Sequence, residues 1–466
     1  VVPGGGGEVM QAVQLGALAD PPAGVAAVLD VVNNFDAVLV DGLARLSEPQ
    51  GTALAALAGA VSGSPLAEVV VTAVSAVRAG TFGVDELSAL AAARAALLGA
   101  LHDALLDQID TASNRGRSEW AGATGIGAAG PLAAGVQAWL GELAIAGWRG
   151  VDHDLVTAAD RTVESLFAEP SLRRVAVLLD GFAAELGACA PIATMDRVPA
   201  RRWADLWSRA LLLSARGTET VGTELVSGRL LPLGVELHEH GTAVQAQLHG
   251  ILEVTGAPAR RVRVSVAAAK VDTIVGPAVW QLLGAHPRLL TALAEHRALG
   301  LTDMALTAAG DLLWEDHRAE AGESADPFVT AAVQLPGAHA PAVAPLDRDP
   351  IHIAEPVLLE GYRIRDGLLE LGDQRLRVDL AALPPAGPLT VAGVNGSVDM
   401  IGLLRWDGGW SVRPLAVRRK VKNTLTAAHN GDWALGPTDA KVTKAQAKSG
   451  DAVAVLRERA GRLLRT

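Results

Sequence analysis

A chain of 466 residues, half of them apolar, is long enough for two to four domains with buried cores, and its net charge of −11 makes it acidic. The single cysteine, Cys189, excludes an intrachain disulfide and a cysteine-rich zinc cage and suits a reducing, cytoplasmic compartment. Arg94, Asp180 and Glu185 interrupt the best apolar runs before they reach the roughly 18 residues of a membrane span.

In chain order, residues 1–12 are glycine-rich without a basic n-region, so they read as a disordered stub rather than a signal peptide, with Met10 a candidate start. From 13 to 216 the pattern is helical. Apolar residues recur at three- and four-residue spacing in Pro22–Leu46, Gly51–Val61, Pro65–Ala79, Val84–Ile109, Pro131–Ala146, Asp154–Phe167, Leu172–Leu186 and Ala200–Ala215, with Pro, Asp, Ser or Gly near an end of each. The clearest stripe is Trp203, Leu206, Trp207, Ala210 and Leu211, opposite Arg201, Arg202, Asp205 and Arg209.

After Gly217 the period becomes two. Leu233, Val235 and Leu237 alternate with polar or small residues, as do Val244, Ala246 and Leu248, and a turn at His240-Gly241 pairs Leu237 with Val244. Arg261–Val266 is a further strand, about 278–318 reads as a helical insertion, and strands resume near Val329. Tyr362–Arg365, Leu368–Leu371 and Gln374–Leu380 form a meander that gathers Ile364, Leu369 and Leu376 on one face and sets Glu370 between Arg363 and Arg375 on the other. Met400–Trp406 and Trp410–Val417 make a last hairpin around Asp407-Gly408-Gly409, with Trp406 opposite Trp410 and with Arg405 and Arg413 at the other parity. The expected fold is α+β. An α-helical N-terminal domain precedes an antiparallel β-rich domain at 217–435, barrel- or sandwich-like, and 436–466 is a basic tail ending in an amphipathic helix at Asp451–Arg465.

Charge is divided unevenly. Five of the six lysines lie between Lys420 and Lys448, and residues 412–466 hold twelve Lys and Arg against four Asp and Glu, which leaves −19 for everything before them. Hydrated lysines gathered at one end mark a surface for an anionic partner or for the acidic body itself.

Four motifs bear on chemistry. Gly125-Ile126-Gly127-Ala128-Ala129-Gly130 has G-x-G-x-x-G spacing but follows a polar stretch instead of the buried strand a dinucleotide site needs, so it reads as a loop before Pro131. His102-Asp103 and His153-Asp154 resemble the His-Asp doublet of HD-class metal-dependent phosphohydrolases; acids at helix starts and on solvated faces account for the same residues. Glu236, His238 and His249, with His240 at the turn, share the outward face of the first hairpin, where an exposed polar face needs no metal. Trp406 and Trp410 serve as a core-covering pair or as a stacking platform beside Arg418-Arg419-Lys420-Val421-Lys422.

The function expected is that of a non-catalytic, cytoplasmic scaffold or adaptor of bacterial type without a cofactor or metal. It recruits another protein through Trp406, Trp410, Arg405, Arg413, Arg418, Arg419, Lys420, Lys422, Lys441, Lys444, Lys448 and Arg457. Nucleic-acid binding through the same surface, and phosphohydrolase chemistry at the His-Asp doublets, are the alternatives.

Overall fold

A computed structural model describes residues 10–121, 130–169, 172–216, 222–449 and 452–463. The glycine-rich start and the glycine motif up to residue 129 lie outside them.

Ten helices come first: α1 (Ala12–Ala17), α2 (Val25–Asp41), α3 (Glu48–Ala60), α4 (Ala67–Arg78), α5 (Val84–Ala112), α6 (Pro131–Ala146), α7 (His153–Thr157), α8 (Asp160–Ala168), α9 (Arg173–Ala188) and α10 (Ala200–Arg216). Their starts follow the capping signals of the sequence: Gln50 accepts from the Ser47 amide at 2.8 Å before α3, and Asp152 accepts from the Leu155 amide at 2.9 Å at α7. The 29-residue α5 is long and apolar enough to cross a bilayer, yet 67% of its apolar window is buried inside the protein, as in a central core helix. On α10 the expected stripe is the buried one, since Trp203, Trp207, Ala210 and Leu211 are all sealed. Trp203 and Phe182 both meet Trp148 edge to face, and the Trp207 indole donates to the Leu140 carbonyl at 2.9 Å.

One ion pair ties this region together. Arg94 of α5 is buried and donates through Nε and Nη2 to Asp36 of α2 at 2.7 and 3.1 Å, and through Nη2 to the Arg201 carbonyl of α10 at 3.2 Å. Burial alone would disfavour its charge, but Asp36 more than offsets that and raises the guanidinium pKa.

The first sheet contains β1 (Thr223–Glu239), β2 (Ala243–Glu253), β3 (Arg260–Ala269), β4 (Arg297–Thr307), β5 (Asp311–Leu313) and β6 (Ala319–Ser324), with the short helices α11 (Val279–Leu282) and α12 (Pro287–Ala294) between β3 and β4. The helical insertion is therefore shorter than expected. Strands fill 297–324, where β4 is held by β1 on one edge and by β5 and β6 on the other. Neighbours run β1-β2-β3-β5-β4-β6, and β4 pairs back with β1.

The first hairpin turns one residue later than its sequence suggests. His240 N–H donates to the Ala243 carbonyl at 2.8 Å around Gly241-Thr242, so Leu237 faces Ala246 instead of Val244. A two-residue shift preserves parity, and Val235, Val244, Ala246 and Leu248 still share the core.

After α13 (Pro327–Gln334) comes the second sheet: β7 (Glu355–Glu360), β8 (Arg363–Arg365), β9 (Leu368–Leu371), β10 (Gln374–Val378), then α14 (Val391–Asn395), β11 (Asp399–Trp406), β12 (Trp410–Val421) and β13 (Thr424–His429). Helix α13 replaces the strand expected near Val329, because Asp326 caps the Phe328 and Val329 amides and Pro327 occupies the first turn. Neighbours run β7-β11-β12-β10-β9-β8 with β13 beside β12, and the two ends of that path, β7 and β8, are joined through Gly361-Tyr362.

With β7 and β8 taken as one interrupted strand, both sheets repeat one plan: a first strand, two more, a helical segment, then two strands of which the second lies parallel to the third strand, with β6 and β13 added beside them. The parallel pairs β3/β5 and β10/β12 make the sheets mixed rather than purely antiparallel. The sheets approach closely at Gly234, where a Cβ would lie 2.8 Å from that of Leu415. Leu231, Leu233 and Ile251 of the first sheet, Leu358, Ile401 and Ala416 of the second, and Phe328 and Ala331 of α13 form the shared apolar seam.

The basic tail is α15 (Ala440–Ser449) and α16 (Ala452–Leu463), and it is docked rather than extended. Val453 is buried in the core of the first sheet, with Val442 and Leu456 packed against it.

Removing the partner of Arg94 leaves an uncompensated buried charge. Asp36→Ala is expected to destabilise the helical region by about 3–5 kcal/mol, read from urea unfolding followed by Trp fluorescence.

Candidate anion-binding face

The outer face of the second sheet can be read from strand register. Arg365 on β8 pairs with Leu368 on β9, Leu368 with Arg377 on β10, Arg377 with Ser411 on β12, and Ser411 with Arg405 on β11. Directly paired residues project to the same side, so Arg365, Arg377 and Arg405 form one row across five strands. The neighbouring row is Arg363, Glu370 and Arg375. Glu370 is shared by Arg375 at 3.5 Å and Arg365 at 3.8 Å, and all four arginines of β8 and β10 are exposed. Four exposed guanidiniums around one carboxylate, Glu370, leave this part of the face cationic on an acidic protein. It borders a cleft of about 530 Å³ whose walls include Arg377, Asp379, Arg405, Trp406, Ser411 and Arg413.

Behind the cleft the charges are consumed internally. Glu236 of β1 is buried and pairs with Arg413 and, at 3.8 Å, with Arg405, while Arg413 also holds Asp379 at 3.0 Å. Burial pushes the Glu236 carboxyl up, but the hydrogen bond from His238 and the charges of Arg405 and Arg413 outweigh it and hold it well below the usual carboxylate range. The polar face of the first hairpin is therefore inward at Glu236 and His249, 3% and 2% exposed, while the His238 side chain is 34% exposed and His240 at the turn is exposed. Burial drives the His249 pKa down to about 4, keeping the imidazole neutral.

The other candidates separate into paired and free groups. Trp406 is buried and meets the half-buried Trp410 edge to face at 5.1 Å, closing one end of the core. Arg418 pairs with Glu360 at 2.8 Å and Asp399 at 3.0 Å and lies 4.4 Å over the Phe328 ring. Arg419, Lys420 and Lys422 stand exposed on a two-stranded arm formed by the ends of β12 and β13. Lys422 and Asn423, with φ of 46° and 69°, make its tight turn. Val421 and Leu425 are exposed on the same arm. Lys441, Lys444 and Lys448 lie exposed along one side of α15. The Arg457 side chain lies outside the described residues.

The His-Asp doublets do not converge. His102 is buried with Nδ1 3.1 Å from Asp103, which in turn pairs with Arg348 at 3.0 Å, whereas His153 is exposed at the start of α7. Neither joins a cluster of three metal-ligating groups among the described residues.

The arginine row was not singled out as a site by sequence reasoning, although the alternation Arg363-Ile364-Arg365 and Arg375-Leu376-Arg377 was its signal. No protein-family model, curated protein or solved structure matches this chain.

Because His249 is neutral when folded and titrates normally when unfolded, the unfolded chain binds the extra proton between about pH 4 and 6.5, and stability rises with pH across that window. The gap is worth at most about 3 kcal/mol. Denaturant titrations at pH 4.5 and 7 are expected to show this rise, and His249→Gln to diminish it.

Proposed function

We propose that the chain is a non-catalytic cytoplasmic scaffold or adaptor that recruits an acidic protein through the arginine row of its second sheet, assisted by the cationic arm and the lysines of α15. In this reading each sheet closes into a small five-stranded barrel of the oligonucleotide/oligosaccharide-binding kind, whose second and third strands commonly carry the ligand face. The row lies on β9, β10 and their neighbours, the corresponding strands of the second unit.

The observation that carries the proposal is the contrast in pairing. Arg413 and Arg418 are held by carboxylates of the fold, while Arg377, Arg419, Lys420 and Lys422 are exposed and make no ion pair among the described residues. A protein partner is favoured over nucleic acid by what lies between the cations. Leu368, Val421 and Leu425 are exposed there, an aliphatic and arginine mixture typical of protein interfaces, whereas single strands favour exposed aromatic rings and Trp406 is buried.

The test is capture from native extract by the full chain, compared with Arg365→Glu/Arg377→Glu. The reading expects a protein whose capture weakens about tenfold in the double variant, falls with salt and survives nuclease, with thermal stability unchanged. Capture abolished by nuclease would assign the face to nucleic acid; capture indifferent to the double variant would remove the row from function.

A further inference from the structure

The loop entering β4 and the end of β13 meet at the junction of the two sheets, and there a ring nitrogen of His296, a ring nitrogen of His429 and a carboxylate oxygen of Asp432 all lie within 4.8 Å of one another. We propose that these three residues bind a divalent transition metal of the zinc class, joining the first sheet, through His296, to the second, through His429 and Asp432.

The donor set suits such a cation. Two imidazoles and one carboxylate are borderline ligands of the kind that hold zinc, with a fourth position left to solvent. Bonds of about 2.0 Å in tetrahedral geometry place ligand atoms about 3.3 Å apart. The His296 Nε2 to Asp432 Oδ1 distance of 2.8 Å must then open slightly, and no other separation need close by more than about 1.5 Å on the same geometry. His296 and Asp432, with side chains 33% and 22% exposed, have room to adjust.

The surroundings hold the ligands in place. Asp432 is oriented by accepting the His429 backbone N–H on Oδ2 at 3.0 Å, which leaves Oδ1 directed at His296. His429 is buried, its ring 4.2 Å from that of His296 and edge-on to Phe328, and its Nδ1 has no hydrogen-bond partner. A buried imidazole nitrogen without a partner is costly unless something uses it. His296 adopts φ of 51°, a left-handed conformation uncommon for a residue with a side chain, and this backbone presents its ring to Asp432. A His–Asp hydrogen bond alone would explain the 2.8 Å contact, but not the unpartnered nitrogen stacked beside it.

The experiment uses the full chain, stripped with chelator and titrated with Zn²⁺ by calorimetry, with Co²⁺ as a visible-absorption probe of coordination geometry. The expected result is one equivalent bound, tetrahedral-type Co²⁺ bands, and a melting temperature that rises with metal. His296→Gln and Asp432→Asn are each expected to weaken binding at least 30-fold and to abolish the metal-dependent rise, with circular dichroism reporting that each variant is folded. Asp432→Asn preserves the shape of the hydrogen bond and so remains informative if His296→Gln misfolds. Absence of stoichiometric binding overturns the proposal, as does equal binding by a folded variant, which would place the metal on other histidines.

Discussion

Three guanidiniums converge on two carboxylates where the helical region meets both sheets, and the arrangement of the molecule turns on that cluster. Arg115 and Arg117, just beyond α5, both pair with Asp110 and with Glu355 of β7, and Arg261 of β3 reaches Glu355 at 3.1 Å. Burial would raise Glu355, yet the three arginines outweigh it and hold it far below the normal carboxylate range. Burial and the proximity of Arg115 push Arg261 down to about 9, which still leaves it charged at neutral pH. Isolated, any of these ions would be expensive to bury; together they fix the positions of α5, β3 and β7 relative to one another. Glu355 is shared by all three arginines, so the helical region and the two sheets are tied together at this point.

That constraint explains where the cations of the surface are found. Of the candidates on the second sheet, Arg413 and Arg418 are drawn inward to satisfy Glu236, Asp379, Glu360 and Asp399, and they hold sheet to sheet and strand to strand. What remains exposed is Arg363, Arg365, Arg375 and Arg377, then Arg419, Lys420 and Lys422 on the arm. The division between paired and unpaired arginine follows neither from parity nor from local sequence: by register Arg405 and Arg413 lie on the same side as Arg377, yet they are the ones that reach Glu236.

Local periodicity was therefore a good guide to elements and a poor guide to faces. The helix blocks of 13–216, the buried stripe of α10, the Ile364-Leu369-Leu376 core row and the Trp406–Trp410 pair could all be read from spacing, because each depends on neighbours within a few tens of residues. Glu236 and His249 could not. Their polar identity signals solvent, and only a second sheet whose matching arginines come some 170 residues later turns that face inward. The strands at 297–324 were obscured by alanine- and leucine-rich composition, which suits a helix until β1 and β5 are placed on either edge. The tail was legible as charge but not as position. Its anchorage rests on Val442, Val453 and Leu456, three ordinary apolar residues with no signal of where they dock.

In the proposed recruiting role, an acidic body with a cationic face would discriminate partners by repulsion as well as attraction. Residues before 412 carry −19, so an acidic protein approaching at random meets like charge over most of the surface. In that role the exposed Arg365 and Arg377, the arm bearing Arg419, Lys420 and Lys422, and the lysine side of α15 offer a favourable approach. Misdocked orientations then place carboxylates against carboxylates, and that penalty selects orientation even where each attractive contact is weak and solvent-screened. In the same role exposed Leu368, between Arg365 and Arg377, and exposed Val421 and Leu425, beside Lys420 and Lys422, would supply the apolar contact that Coulomb attraction alone cannot.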